Sequence, residues 1–210
     1  MSKTFINVIL DESGSMYETR RDTVGGFNTW LKDRKTEESE DPTISQILTL
    51  TKFNTLPTTI YSAQPIMEVP SLDDGSYRPG GNTALFDAVA NSIRLTDPLV
   101  GVDDRVLVLI ITDGEENSSR ETSRKQITEI IKERESRGNY TFVYLGAKIE
   151  DWAKDLIRAA STRTTMDSSD PNAIKSSWRG LSDSNRVYNR VGKSNTRAVS
   201  TKSFYTDKDD

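Results

Sequence analysis

The chain has 210 residues, of which 34% are hydrophobic and 29% charged, with 28 basic against 32 acidic side chains and a formal net charge of −4. That length suits one domain with a sizeable core and is cramped for two. The near-balanced charge, with no basic stripe interleaved with aromatics, gives no footprint for nucleic acid or a membrane surface, and the absence of cysteine and histidine excludes disulfides, thiolate or imidazole metal sites and Ser-His-Asp catalysis.

Met1-Ser2-Lys3-Thr4 leads directly into an apolar run, and no run reaches transmembrane length, so the expectation is a cytoplasmic chain without a signal peptide. The glycosylation-type sequons at Asn117 and Asn139 are then coincidental. Phe5 to Leu10 reads as a strand covered on both faces, as in a parallel sheet. It ends in Asp11-Glu12-Ser13-Gly14-Ser15, which puts a carboxylate and two hydroxyls at the carboxyl edge of the sheet, where open α/β folds bind ligands. Oxygen donors without nitrogen or sulfur suit a hard cation such as Mg²⁺ or Mn²⁺.

Met16 to about Lys35 reads as a helix with Val24, Phe27, Trp30 and Leu31 on one face. Its Gly25-Gly26 pair marks either close packing against the sheet or a local bend, and the acidic cluster Glu37 to Pro42 ends it as a solvated loop. Ile44 to Phe53 and a segment starting at Pro57 to Tyr61 read as two strands, expected to pair as a hairpin at an antiparallel edge. Pro65 to Pro79 is loop-rich, with Asp73-Asp74-Gly75 as a surface turn. Gly80-Gly81-Asn82-Thr83 then precedes a helical run, Ala84 to Ile93, so the Thr83 hydroxyl either caps that helix or faces a ligand.

Arg105 to Thr112, the most hydrophobic run, reads as the central buried strand, and Asp113-Gly114 follows at its carboxyl end. Glu115 and Glu116 either favour the N-terminus of the following helix or give the rim a negative charge. That helix is expected over Arg120 to Arg137, with Ile127, Ile130 and Ile131 inward. Next come a buried strand, Tyr140 to Ala147; an amphipathic helix, Asp151 to Ala160; a short edge strand, Thr162 to Met166; and a last helix, Pro171 to Val191, with Ile174, Trp178, Leu181 and Val187 on one side. The remaining polar residues read as a tail, flexible or ordered by a partner, which divides the chain into a domain over 1–191 and a tail over 192–210. The alternation implies an α/β fold: a doubly wound, mostly parallel sheet with one antiparallel edge strand and helices on both faces.

Asp11-x-Ser13-x-Ser15 resembles the first segment of the metal-ion-dependent adhesion site of von Willebrand factor A domains, and Thr83 and Asp113 fall where that family has its second and third segments. One such segment is weak; three in order, each at a strand end or helix start, are specific. With Thr23 to Asn28, Gly81 to Ala88, Thr112 to Arg120 and Phe142 to Ala147, they are similar to the small stand-alone A-domain proteins of bacteria and phages, over about Phe5 to Val191. The resemblance implies a Rossmann-like fold and a Mg²⁺ or Mn²⁺ ion held by Ser13 and Ser15, with Thr83 joining in one state and Asp11 and Asp113 acting directly or through water. It also implies capture of an Asp or Glu carboxylate from a protein partner, coupled to movement of the carboxyl-terminal helices. Glu12 departs from the pattern, and either alters the local charge or points to solvent.

A competing class is an Mg²⁺- or Mn²⁺-dependent phosphoester hydrolase built on Asp11, Glu12, Asp113, Glu115 and Glu116. Against it, no histidine, catalytic lysine motif or phosphate-cradling glycine loop accompanies those carboxylates. A third class is a phage structural or assembly component with a vestigial site.

Overall fold

A computed structural model describes residues 2–146, 162–165 and 173–192. Six strands form one sheet: β1 (Thr4–Asp11), β2 (Gln46–Phe53), β3 (Pro57–Pro65), β4 (Arg105–Thr112), β5 (Tyr140–Gly146) and β6 (Thr162–Thr165), in the order β3-β2-β1-β4-β5-β6. Every neighbouring pair is parallel except β2 and β3, which form the expected antiparallel edge. The described residues include four α-helices, α1 (Arg20–Glu40), α2 (Leu85–Thr96), α3 (Arg124–Ser136) and α4 (Ala173–Gly192).

The two central strands carry apolar side chains at nearly every position because both of their faces are covered. Along β1, Ile6, Val8 and Leu10 enter one core with Phe27, Trp30 and Leu31 of α1 and Trp178 and Leu181 of α4. Phe5 and Ile9 enter the other, with Leu85, Val89 and Ile93 of α2 and Ile127 and Ile131 of α3. Successive residues of a strand point to opposite faces, so an unbroken apolar run fills two cores at once. Asn7, a buried polar residue in the middle of β1, has its polar atoms matched: Oδ1 accepts from Thr96 Oγ1 at 2.8 Å and Nδ2 donates to the Ser92 carbonyl at 3.4 Å, tying β1 to α2.

From β1 the chain moves to β2 and β3 on one side, then crosses to place β4 on the other side of β1. Strand order therefore reverses between β1 and β4, and this is where a doubly wound sheet opens a crevice at its carboxyl edge.

Several sequence expectations are corrected. Helix α1 begins at Arg20, after a 3-10 turn over Gly14–Tyr17, and continues to Glu40 through the supposed solvated acidic loop. Glu37 is buried, accepting from Arg34 Nη1 at 2.6 Å and Asn189 Nδ2 at 3.1 Å, while the fully buried Arg34 also donates from Nη2 to the Ser182 carbonyl at 3.0 Å. One member of the acidic run thus belongs to a polar seam between α1 and α4. In α4, Trp178 and Leu181 point inward as expected, but Val187 is 41% exposed and Tyr188 is buried in its place. The 3.6-residue helical period continues from 181 through 185 to 188, and 187 falls off that face.

Gly26 packs closely, yet against α4 rather than the sheet: a Cβ there would stand 2.1 Å from Cδ1 of Trp178. Asp73 forms the expected surface turn, its Oδ1 accepting from the Gly75 and Ser76 amides at 2.9 and 2.7 Å. The helix expected over Asp151 to Ala160 and the tail beyond Gly192 lie outside the described residues. Among the described residues, no helix is long and apolar enough to cross a membrane.

Candidate metal centre

Because β1 and β4 are paired in parallel with Leu10 opposite Ile111, Asp11 comes level with Thr112 at the carboxyl edge of the sheet, and Asp113 follows one residue beyond it. Asp11 Oδ1 accepts from the Ser13 amide at 2.7 Å, its Oδ2 accepts from Thr112 Oγ1, and its carbonyl accepts from the buried Tyr77 hydroxyl. The Ser13 and Ser15 hydroxyls share a hydrogen bond at 3.0 Å, and Ser15 Oγ donates to Asp113 Oδ1 at 2.6 Å. Thr83 completes the group. A Cβ placed on Gly114 would stand 3.2 Å from Ser15 Oγ, 3.3 Å from Thr83 Oγ1 and 3.4 Å from Asp11 Oδ2, so two oxygens of the first loop and one of the second surround a point on the third that the glycine leaves open.

Two carboxylates share this small volume with three hydroxyls. Burial pushes the Asp11 carboxyl up to about 6; hydrogen bonds from Thr112 and Ser13 oppose the shift, and the Asp113 charge adds to it. Tyr77, beneath the site, is held neutral by burial and by the nearby charges of Asp11, Glu12 and Asp113. Among the described residues no group of three His, Cys, Asp or Glu side chains gathers as a metal cage. The donor set is one of alcohols with two carboxylates, which fits a hard, partly hydrated divalent ion.

The loop carrying Thr83 is clasped to the first loop by the main chain. Gly14 donates to the Gly81 carbonyl at 3.1 Å and Gly80 to the Glu12 carbonyl at 2.9 Å. Gly81 has φ +79°, and a Cβ there would stand 2.7 Å from Thr55 Oγ1, so this position needs glycine for both conformation and space. Helix α2 has Ala84, not Thr83, at its capping position, without a side-chain cap.

No protein-family model and no curated protein matches this sequence. Solved structures do. A von Willebrand factor type A protein from Catenulispora acidiphila aligns with a TM-score of 0.60 and 16% identity over 88% of this chain and 43% of its own. The ArnB paralog VWA2 from Sulfolobus acidocaldarius aligns at 0.56 and 15% over 86% of this chain and 45% of its own. The chain has a von Willebrand factor A fold. The pilus adhesin SpaC from Lactobacillus rhamnosus GG, in an open conformation, aligns at 0.66 and 9% over 90% of this chain and 30% of its own. This chain thus spans less than half the length of each of these proteins.

Within this von Willebrand A fold, side chains absent from the sequence assignment hold the site in shape. Glu12 does not face solvent, and its charge is paired. Its Oε1 accepts from Lys52 Nζ at 2.8 Å and from the Arg78 amide, and Lys52 Nζ also donates to the Ser76 carbonyl at 2.6 Å. This partly buried pair fastens β2 and the 76–80 loop to the end of β1. Replacing Glu12 with Ala leaves the Lys52 ammonium without its counter-ion, and chemical denaturation is expected to show a loss of about 2 kcal/mol, between the values for an exposed pair and for the breaking of a buried one.

Glu116 caps α2 rather than α3: its Oε2 accepts from the Phe86 amide at 3.0 Å and its Oε1 from the Ser118 and Ser119 amides at 2.9 and 2.7 Å. Asp87 reciprocates, accepting from the Arg120, Glu121 and Thr122 amides, and α3 begins only at Arg124, behind a capping box formed by Ser123 and Gln126. Glu115 is exposed. Glu12's role has no local signal, because Lys52 comes opposite Leu10 only through the register of β1 and β2.

Proposed function

We propose that this chain is a divalent-metal-dependent protein-binding module, in which Asp11, Ser13, Ser15, Thr83 and Asp113 hold Mg²⁺ or Mn²⁺ and the ion receives an Asp or Glu carboxylate from a partner protein. The observation behind it is the convergence of Ser15 Oγ, Thr83 Oγ1 and Asp11 Oδ2 on the point beside Gly114, with Ser15 bonded to Asp113. When bound, the ion supplies a Lewis-acidic position for an incoming carboxylate oxygen. Ser13, Ser15 and Thr83 offer neutral oxygens, so only Asp11 and Asp113 contribute negative charge and the ion stays attractive to a further anion. Thr112 Oγ1 and the Ser13 amide hold both oxygens of Asp11, which orients that carboxylate and leaves it suited to act through water. Burial, and after it the Asp113 charge, disfavours the charged form of Asp11, and a cation in the cradle would relieve that cost.

Two features favour binding over phosphoester hydrolysis. Glu12 is paired with Lys52 and Glu116 caps α2, so two of the five carboxylates that a hydrolytic centre would recruit are committed elsewhere. The fold neighbours include a pilus adhesin, which is consistent with an adhesive role.

The test is affinity purification with and without EDTA, comparing wild type with Asp113→Ala. A partner should be retained by the wild type with Mg²⁺, released by EDTA, absent with Asp113→Ala, and lost when its own acidic residue is changed to the amide. Capture that ignores both EDTA and Asp113→Ala overturns the assignment, as does Mn²⁺-dependent phosphoester turnover that disappears in the same variant.

A further inference from the structure

Resting on the metal assignment above, we infer that Asn117 is a positioning residue for Thr83, and that the loop after β4 therefore delivers two groups to the ion: Asp113 directly, and Thr83 through Asn117. Thr83 is 3% exposed and precedes the first turn of α2, so its main-chain groups have no partner within that helix. Both end on the other loop. Asn117 Oδ1 accepts from the Thr83 amide at 2.9 Å, while the Asn117 and Ser118 amides donate to the Thr83 carbonyl at 3.0 and 3.3 Å. A single side chain thus completes a two-way clasp that fixes the peptide planes on both sides of Thr83, and with them the direction of its hydroxyl.

The neighbouring bonds make this clasp part of a rigid unit. Glu116 Oε2 accepts from the Phe86 amide, Ser119 Oγ accepts from the Asp87 amide at 3.1 Å, and Asp87 accepts from the Arg120, Glu121 and Thr122 amides. The first turn of α2 and residues 116–122 therefore satisfy amides of each other, Glu116 also holding the Ser118 and Ser119 amides of its own segment. For Thr83 to approach or leave the ion, these bonds must break or the 113–122 segment must move with it. Asn117 is exposed, so its replacement leaves the hydrophobic cores intact and isolates the positioning role.

The experiment measures Mn²⁺ affinity from the spin-resonance signal of the free ion, in a double-mutant cycle with Asn117→Ala and Thr83→Ala. Outer-shell partners of metal ligands typically carry tenfold effects or more, so Asn117→Ala alone should weaken Mn²⁺ binding at least about tenfold. In the Thr83→Ala background the same change should cost less than about twofold, because the group it positions is gone. Hydrogen exchange supplies a second readout in metal-free protein. The Thr83 amide should exchange about tenfold faster in Asn117→Ala and return to the wild-type rate in Asn117→Asp, which keeps the acceptor oxygen. Equal losses of affinity in both backgrounds, or an unchanged Thr83 exchange rate, overturn the inference while leaving the metal site standing. Wild-type protein that binds no Mn²⁺ removes both.

Discussion

Saturating Mg²⁺ or Mn²⁺ is expected to raise the unfolding temperature of the wild-type protein by about 5–11 °C, and Asp113→Ala is expected to abolish the shift. A ligand at a hundredfold excess over its Kd stabilises the state that binds it by about 2.7 kcal/mol, and a domain of this size gains about 2–4 °C per kcal/mol. Asp113 is the natural target because its carboxylate anchors Ser15 as well as supplying charge, so one substitution removes an anion and releases a hydroxyl. Gly114→Ala approaches the site from the other side. Its methyl would stand 3.2–3.4 Å from Ser15 Oγ, Thr83 Oγ1 and Asp11 Oδ2, filling the opening without deleting a donor, and it too should abolish the shift. Scanning calorimetry with titrated metal decides the matter. A wild-type unfolding temperature that does not respond to either ion, or an Asp113→Ala variant that responds equally, would sink the assignment of these residues.

The second large effect lies far from the site, at the crossing of α1 and α4. Gly26→Ala should destabilise the fold by about 3 kcal/mol, the upper part of the usual range for overpacking. A methyl there would lie 2.1 Å from Trp178 Cδ1, 2.5 Å from Cγ and 2.6 Å from Nε1, and the indole it strikes is itself packed against Phe27 and Trp30 at centroid separations of 6.1 and 6.2 Å. Trp178→Ala alone should also be costly, by about 3–5 kcal/mol, because it empties that volume. Adding Gly26→Ala to it should cost almost nothing further, since the two changes share one space. Urea denaturation of the four proteins checks this, and two additive penalties would mean that the crossing relaxes by another route.

How much of this was legible in the sequence depended on how far away each explanation lay. The mostly parallel sheet, its antiparallel edge and the gathering of Asp11, Ser15, Thr83 and Asp113 at one end of it follow from motifs at strand ends, where the local run fixes both the element and the edge on which its last residues lie. The burial of Glu37 is not legible locally, because it depends on Arg34, Ser182 and Asn189, two of them on a helix almost 150 positions later, and an acidic run by itself looks solvated. Val187 lies off the inward face because Tyr188 satisfies the same helical period one place on. Gly26 gave the right kind of signal, close approach, without naming the surface approached. Asn117 carried a misleading signal: it reads as a sequon, while its use is to hold the peptide of Thr83.

The parallel pairing of β1 and β4 also acts as a ruler. Adjacent strands lie about 4.8 Å apart, and with Leu10 opposite Ile111 the interval between Asp11 and Thr112, the residue from which the Asp113 loop departs, is dictated by amide-to-carbonyl spacing common to any polypeptide. No particular side chain on the outer faces of the helices needs to measure it. Drift across most of the surface can therefore leave the gauge between the roots of these two loops unchanged, provided the pair of strands stays in step.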